Sequence, residues 1–328
     1  MFEPTSMTRR ACLSLGLSLP LAGLAQAPFP SRPLRIISPF VAGGANDVLS
    51  RLLAQGMAPT LGQPVIVENK AGAGGIIGVE YVAKSPPDGY TILMTTSSAI
   101  TSYLGLYRAL PYDPRKDLQM ISDVAYFRFI LAVNPSVPAN DVQELLALLK
   151  AQPKKYAIGS WGNGTPPHQL QAFLAQKYGA EAMHVAYKGD AQLNTDVMAG
   201  TIHIALGSSA SLMPLVASGR MRALGVSGAA RLKNAPAIRT FGEQGYDEPA
   251  FANPGPFSLM VAAGTPDAVV ERLGSEVRNV LSLPATRSRI EELGATVVGN
   301  TPEEATAAYK AYLPIALKLT RDTGVTLD

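Results

Sequence analysis

Short apolar runs with strand character alternate with amphipathic helical segments along most of this chain. The run 33–40 (PLRIISPF) precedes an expected helix over 47–60, and further strands at 65–67 and 91–96 flank a helix over 76–84. Strands that alternate with helices at this spacing are typical of βαβ units, which place their strands in a parallel sheet. The chain is therefore predicted to be α/β.

The alternation starts afresh in the second half of the chain, with strand-like runs from residue 155 onward. Two long apolar segments, 120–134 and one near residue 260, are suited to pass between the halves. We therefore expect two lobes, each a mainly parallel sheet flanked by helices, joined by two interdomain crossings. Lobe one is expected to comprise residues 28–128 plus 253–328, and lobe two residues 129–252. Such an architecture binds ligands in a cleft.

Residues 1–27 have the pattern of an export signal. Arg9 and Arg10 precede the apolar stretch ACLSLGLSLPLAGLA, which leads to an A-x-A cleavage pattern ending at Ala27. The alternative is a buried N-terminal helix, and the arginine pair leaves the Sec and twin-arginine routes both open. We expect a periplasmic protein whose signal peptide is cleaved near Ala27.

Charge and cysteine content exclude several classes of function. The net charge is only +3, and without a cluster of Lys or Arg a nucleic-acid partner is not expected. Cys12, the single cysteine, lies in the export segment, so the mature chain has no disulfide, thiolate nucleophile or cysteine metal ligand. His168, His184 and His203 fall on separate elements without H-E-x-x-H spacing, and neither a metal nor a cofactor is expected.

Three glycines after the second strand raise the alternative of a dinucleotide site. Gly72, Gly74 and Gly78 form G-x-G-x-x-x-G, but the next strand ends in hydroxyl residues rather than the acid that would bind a ribose. The motif also follows the second strand instead of the first. Glycine equally permits positive φ and close helix packing, and this interpretation is favoured.

Several long motifs resemble those of the Bug, or TctC-type, periplasmic solute-binding proteins of tripartite tricarboxylate transporters. In chain order they are PFVAGGAND (39–47), VENKAGAGGIIG (67–78), DGYT (88–91), GSWGNGTPPH (159–168), HVAYKGDAQLNTDVMAGTIHIAL (184–206) and GRMRALGVSGAAR (219–231). The resemblance implies a two-lobed periplasmic-binding-protein fold, type II-like, that closes on a small, usually carboxylated, ligand. It further implies a receptor, not an enzyme, that delivers its ligand to membrane transporter subunits. We expect a monomer.

The loops at the carboxyl ends of the predicted strands agree with an anionic ligand. Segments 40–46, 95–102 and 159–165 carry no Lys, Arg, Asp or Glu, but are rich in backbone N–H groups and hydroxyls. Two of them lead into helix N-termini, which favour anions without a formal counter-charge. The candidate ligand-binding residues are Phe40, Gly43, Gly44, Asp47, Ser97, Ser98, Ser160, Trp161, Gly162, Asn163, Gly164, Thr165, His168, Tyr187, Gly189, Asp190 and Ser208.

Four of these candidates have structural alternatives. Asp47 is favoured as a first-turn acid that stabilises its helix dipole. Thr165 has the alternative role of a helix cap. Trp161 fits a ligand platform and a wedge between the lobes equally well. His168 is favoured as a residue that orients its loop, because a single histidine without a nearby acid is a poor catalytic base.

Asp190 marks a departure from the family pattern. Much of the family reads Y-K-G-G-A-P where this chain has 187–192 (YKGDAQ). Asp190 and Gln192 either alter the ligand specificity, or Asp190 caps the next helix, which is the interpretation we favour.

The rival interpretation is a secreted α/β hydrolase-like enzyme that uses Ser160. Its G-x-S-x-G motif is incomplete, since residues 158–162 read IGSWG and lack the first glycine. A structural or adhesive protein is the third class, and it would form no closed cleft and bind no ligand.

Overall fold

A computed structural model of the chain describes residues 29–248, 251, 255–322 and 326–327. The expected export signal at 1–27 and the expected lobe boundary at residue 253 lie outside the described residues. Within the described ranges, no helix is both long enough and apolar enough to cross a membrane.

Strands and helices alternate through most of the chain. The strands are β1 (Leu34–Ser38), β2 (Val65–Asn69), β3 (Thr91–Thr96), β4 (Leu118–Phe127), β5 (Phe129–Val133), β6 (Ala157–Ser160), β7 (Met183–Ala186), β8 (Ile204–Ser208), β9 (Arg222–Val226), β10 (Phe257–Ala262) and β11 (Ala295–Val297). The helices are α1 (Ala45–Leu61), α2 (Ile76–Ala83), α3 (Ser97–Ile100), α4 (Tyr103–Leu106), α5 (Val142–Ala151), α6 (Pro166–Tyr178), α7 (Asp190–Ala199), α8 (Ser209–Ala217), α9 (Asp267–Ser282), α10 (Pro284–Glu292) and α11 (Pro302–Asp322). The α/β class predicted from the sequence is confirmed.

The strands of the described ranges form two separate sheets, one of six strands and one of five. The first has the order β11-β4-β10-β3-β1-β2, and the second has the order β7-β6-β8-β5-β9. The chain therefore builds β1 to β4 in the first sheet, passes to the second for β5 to β9, and returns for β10 and β11. Between β4 and β5 a single residue, Arg128, separates the two sheets.

Both sheets are mixed rather than mainly parallel, which corrects the expectation from the sequence. β1 is parallel to β2 and β3, and β6 is parallel to β7 and β8, but β10 and β5 are antiparallel to both of their neighbours. β5 follows β4 of the first sheet after one residue, and β10 is the strand with which the chain returns to the first sheet. Such a strand begins at the edge where the parallel strands end, so it must run against them.

Helices cover both faces of each sheet. Neighbouring residues on a strand point to opposite faces, and Ile36 and Ile37 of β1 are both fully buried in different apolar clusters. In the second sheet, Leu131 and Ala132 of β5 are divided between two clusters in the same way. The continuous apolar runs seen in the sequence are thus strands buried on both sides.

The glycines at 72–78 allow close packing after β2. Gly74 has φ 65°, and a Cβ there would lie 2.7 Å from the Tyr103 hydroxyl. A Cβ on Gly78 would lie 2.8 Å from the Cα of Pro39. These distances are too short for any side chain, so packing accounts for the motif.

Candidate ligand-binding site

A cavity lies where the cleft-side edges of the two sheets face each other. Strands β1, β3, β6 and β8 end at this edge, and β5 and β10 begin there. The residues that line it are Phe40, Val41, Gly44, Ala45, Asn46, Thr96, Phe129, Trp161, Gly189, Asp190, Ser208 and Phe257. Both sheets contribute, so a ligand in this cavity would touch elements of each.

Aromatic rings form much of the wall of the cavity. Phe40 and Phe257 come from elements of the first sheet, and Phe129 and Trp161 from those of the second. The rings of Phe129 and Trp161 pack edge to face, with centroids 5.6 Å apart. This contact packs the indole against the start of β5 and makes this part of the wall apolar.

Three helix N-termini also meet at the cavity. Gly44 is the N-cap of α1, Gly189 is the N-cap of α7 and Ser208 is the N-cap of α8. At Gly44 and Gly189 no side chain caps the helix, whereas the Ser208 hydroxyl accepts from the Ser211 amide at 3.3 Å. Uncapped N-termini present partly positive N–H groups, and such groups bind anions.

Asp190 is the one charged side chain among the lining residues. It is the first residue of α7, which places it after the N-cap and excludes the capping role favoured from the sequence. Its Oδ2 atom lies 3.5 Å from the position that a Cβ on Gly44 would occupy, so its carboxyl faces the start of α1. Burial raises the pKa of Asp190 to about 6, although a hydrogen bond with the Ser211 side chain acts to lower it.

The cavity contains only part of the residue set predicted from the sequence. The predicted residues that line it are Phe40, Gly44, Trp161, Gly189, Asp190 and Ser208. Lining residues that the sequence did not single out are Val41, Ala45, Asn46, Thr96, Phe129 and Phe257. Phe129 and Phe257 are the first residues of β5 and β10, whereas the sequence pattern indicates only residues that follow strand ends.

Asp47 and Gly43 stabilise the loop before α1 instead of lining the cavity. The Asp47 carboxylate accepts from Arg51 at 2.9 Å, from Asn69 at 2.9 Å and from the Gly43 amide at 3.1 Å. Burial opposes ionisation of Asp47, but these hydrogen bonds outweigh it and lower the pKa. The Gly43 N–H group is therefore engaged with the protein.

Ser97 and Ser98 lie beside the cavity rather than on its wall. Both are buried, and the Ser98 hydroxyl is 3.1 Å from that of Thr96, which does line the cavity. Ser97 borders a different cavity, between β10 and α11. Neither serine lines the cavity between the two sheets.

The loop after β6 is held by hydrogen bonds within itself. The Ser160 hydroxyl donates to the Gly162 carbonyl at 2.9 Å, and the Thr165 hydroxyl donates to the same carbonyl at 2.5 Å. The amide of Gly164 donates to Nδ1 of His168 at 3.0 Å, so this histidine is bonded to the loop.

The remaining predicted residues are also occupied elsewhere. The backbone carbonyl of Asn163, an exposed residue, accepts from the hydroxyl of Tyr107, which follows α4, at 3.2 Å. The Tyr187 hydroxyl donates to Asp196 at 2.7 Å.

Ser160 and His184 form a pair that resembles part of a hydrolytic site. Their Oγ and Nε2 atoms are 2.7 Å apart, but Ser160 is fully buried and does not line the cavity. Burial lowers the pKa of His184 to about 4, and the ring stacks on His168 with centroids 4.0 Å apart. A base of such low pKa is poorly matched to proton abstraction near neutral pH. Among the described residues, no group of His, Cys, Asp and Glu is suited to hold a metal ion.

Comparison with known proteins identifies the family. A sequence profile described as tripartite tricarboxylate transporter family receptor, TctC, matches residues 49–307. This chain belongs to the TctC receptor family. Protein BugT of Bordetella pertussis is 32% identical, with 98% of this chain and 99% of that protein covered.

Solved structures of the family share the fold. Periplasmic binding protein BugD superposes with a TM-score of 0.86 at 30% identity, covering 91% of this chain and 99% of BugD. An R. palustris protein solved with adipate gives 0.85 at 28% identity, covering 91% and 99%. The predicted family and periplasmic-binding-protein fold are therefore confirmed.

Proposed function

We propose that this TctC-family chain is a periplasmic receptor for a small carboxylate-bearing metabolite, which it delivers to the membrane subunits of a tripartite tricarboxylate-type transporter. The observation that carries the proposal is the convergence of three helix N-termini on one cavity between the two sheets. That an R. palustris relative was solved with adipate supports a carboxylate as ligand.

Backbone groups would hold the carboxylate. The first turn of α1 supplies N–H groups, and Thr96 supplies a hydroxyl at the same wall. Charge-assisted hydrogen bonds of this kind are roughly twice as strong as neutral ones. The rings of Phe40 and Trp161 would enclose the apolar part of the ligand. The ligand is thus recognised without a buried Lys or Arg.

Closure of two lobes would trap the ligand. We propose that residues 28–128 and 253–328 move against residues 129–252, as in other proteins that clamp ligands between domains. The single residue between β4 and β5 makes Arg128 a natural hinge position. We further propose that the receptor is exported, cleaved near Ala27 and monomeric.

A hydrolase that uses Ser160 remains the rival class. The 2.7 Å contact with His184 is the one observation in its favour. Against it stand the complete burial of Ser160, its position off the cavity and the lowered pKa of His184. We propose that the pair is structural.

Native mass spectrometry of freshly purified protein, followed by a thermal-shift screen, tests the receptor function. The panel contains di- and tricarboxylates, amino acids and aromatic acids, each beside its methyl ester. We expect at least one free acid to raise the melting temperature and its ester to bind at least tenfold more weakly, because the ester has no anionic group for the helix N-termini. Equal binding of acid and ester would contradict the backbone-anion site. Ester hydrolysis that disappears in Ser160→Ala would establish the enzyme instead.

A further inference from the structure

We infer that Asp190 selects a ligand that carries an ammonium group beside its carboxylate, an inference that rests on the proposed receptor function. The ligand class is then a small zwitterion, such as an amino acid, rather than a simple dicarboxylate.

The inference begins with the charges around the cavity. Of the lining residues, all of which the structure describes, Asp190 alone ionises in the physiological range. Lys188, two positions earlier, is exposed and does not line the cavity. Arg51 on α1 is paired with Asp47 outside it. The cavity therefore contains one carboxylate and no cationic side chain to neutralise it.

The position of Asp190 keeps this charge inside the cavity. Its carboxyl stands at the first residue of α7 and faces Gly44 at the start of α1, so it lies between elements of the two sheets. The N-termini of α1 and α7 favour the ionised form of Asp190, whereas burial disfavours it. A cation supplied by the ligand would compensate the buried charge, while a second carboxylate brought beside it would be repelled.

The aromatic wall adds a second preference for a cation. Phe40, Phe129, Trp161 and Phe257 present rings to the same space as Asp190. The face of an aromatic ring attracts an ammonium group, most strongly for Trp and when both are shielded from water. A carboxylate among aromatic rings is thus a binding site for an organic ammonium.

The lining that the first sheet contributes is suited to the carboxylate of the same ligand. Thr96 at the end of β3 is an uncharged hydroxyl residue, and Gly44 leaves the N-terminus of α1 without a side-chain cap. The N–H groups at the start of α1 form a partly positive terminus there. One molecule with both charges can therefore satisfy Asp190 and these donors together.

Matched pairs of compounds isolate the contribution of the ammonium group. Aspartate and succinate differ by that group alone, as do glutamate and glutarate, and isothermal titration at pH 7.5 gives the affinity of each. We expect the ammonium-bearing member of at least one pair to bind about tenfold or more tightly than its partner, as a charge-assisted hydrogen bond would produce. In Asp190→Asn, which keeps the shape of the side chain, this preference should fall to about twofold or less.

Asp267→Asn is the matched control, because Asp267 is also the first residue of a helix, α9, but is exposed and lies away from the cavity. It should bind like the native chain. If the simple dicarboxylates bind as tightly as the amino acids, or if Asp190→Asn keeps the preference, the inference is overturned and the receptor function stands. If no acid of either kind binds while the protein is folded, the receptor proposal fails, and this inference fails with it. Asp190→Gly, the residue type of much of the family, provides a second variant should Asp190→Asn not fold.

Discussion

A Cβ atom on Gly162 would lie 2.5 Å from the Cα atom of Gly74. Gly162 follows β6 of the second sheet, and Gly74 follows β2 of the first. The two backbones touch across the cleft, beside the loop that carries Trp161. Any side chain at position 162 would have to push these two segments apart.

Gly162→Ala should therefore weaken ligand binding by about tenfold or more, because it opposes closure of the lobes. The predicted measurements are a lower affinity for a verified ligand and a larger radius of gyration in the ligand-bound state. Gly179→Ala is the control, since Gly179 also has positive φ but a Cβ there meets nothing within 4 Å. It should cost about 1 kcal/mol of stability through backbone strain alone. Equal affinities for the two variants would show that the Gly162–Gly74 contact has no role in closure.

Intrinsic fluorescence should report ligand binding, because Trp161 is the single tryptophan of the chain and lines the cavity. We expect a saturable change in emission when a verified ligand is titrated. Trp161→Phe should abolish the signal and lower the affinity about 2- to 10-fold, the range of one aromatic contact. A verified tight ligand that leaves the emission unchanged would place the binding site elsewhere.

The stability contributed by Asp190 should fall as the pH rises from about 4 to about 6. Its pKa is raised from 3.8 to about 6, so in this window the folded chain retains a proton that the unfolded chain releases. A state that binds more protons loses stability as the pH rises. Asp190→Asn cannot ionise, so its stability advantage over the native chain should grow by on the order of 3 kcal/mol between pH 4 and pH 7.

Urea denaturation of both proteins at several pH values measures this difference. The pKa values of His168 and His184 are lowered by burial, so their contribution changes in the opposite direction over the same range. Both histidines are present in both proteins, and their effect cancels in the difference. The pKa of Asp47 is lowered, which places its titration below the window. A stability difference that is constant from pH 4 to pH 7 would contradict the prediction.

Ser160→Ala should reduce stability without removing any catalytic activity. The Ser160 hydroxyl bonds to the Gly162 carbonyl and contacts His184, so its loss leaves buried polar groups unpaired at a cost of about 1–3 kcal/mol. Chemical denaturation gives the stability, and a panel of esters tests for turnover. Ser218→Ala, at an exposed serine at the end of α8, is the control and should stay within about 0.5 kcal/mol of the native chain.

The sequence predicted the parts of the cavity that follow strand ends. Phe40, Gly44 and Trp161 were found because parallel strands place their carboxyl ends at one edge of a sheet. Ser208 and Asp190 stand at helix starts after the strands β8 and β7, and the same rule reaches them. The parallel strands alternate with helices along the chain, so the periodicity of the sequence is enough to predict how they are connected.

The hydrophobic pattern of the sequence does not predict the direction of a strand or the hydrogen-bond partner of a hydroxyl group. An apolar run reads alike in both directions, so nothing indicated that β5 and β10 begin at the cleft and bring Phe129 and Phe257 with them. The hydroxyls of Ser160 and Thr165 were expected to face a ligand. Both instead bond to the Gly162 carbonyl, because Gly162 turns back toward them with φ 141°, a conformation that the sequence GSWGNGT only permits.

The place of β10 in the middle of the first sheet has a consequence for how the chain acquires its structure. β10 joins β4 to β3, yet about 130 residues separate it from β4 along the chain. All strands of the second sheet lie within that interval, so this sheet can complete itself as soon as the interval has emerged. The strands of the first sheet lie in two segments on either side of this interval, and contacts between distant segments form slowly. A chain that crosses a membrane from its N-terminus would therefore finish its first sheet last.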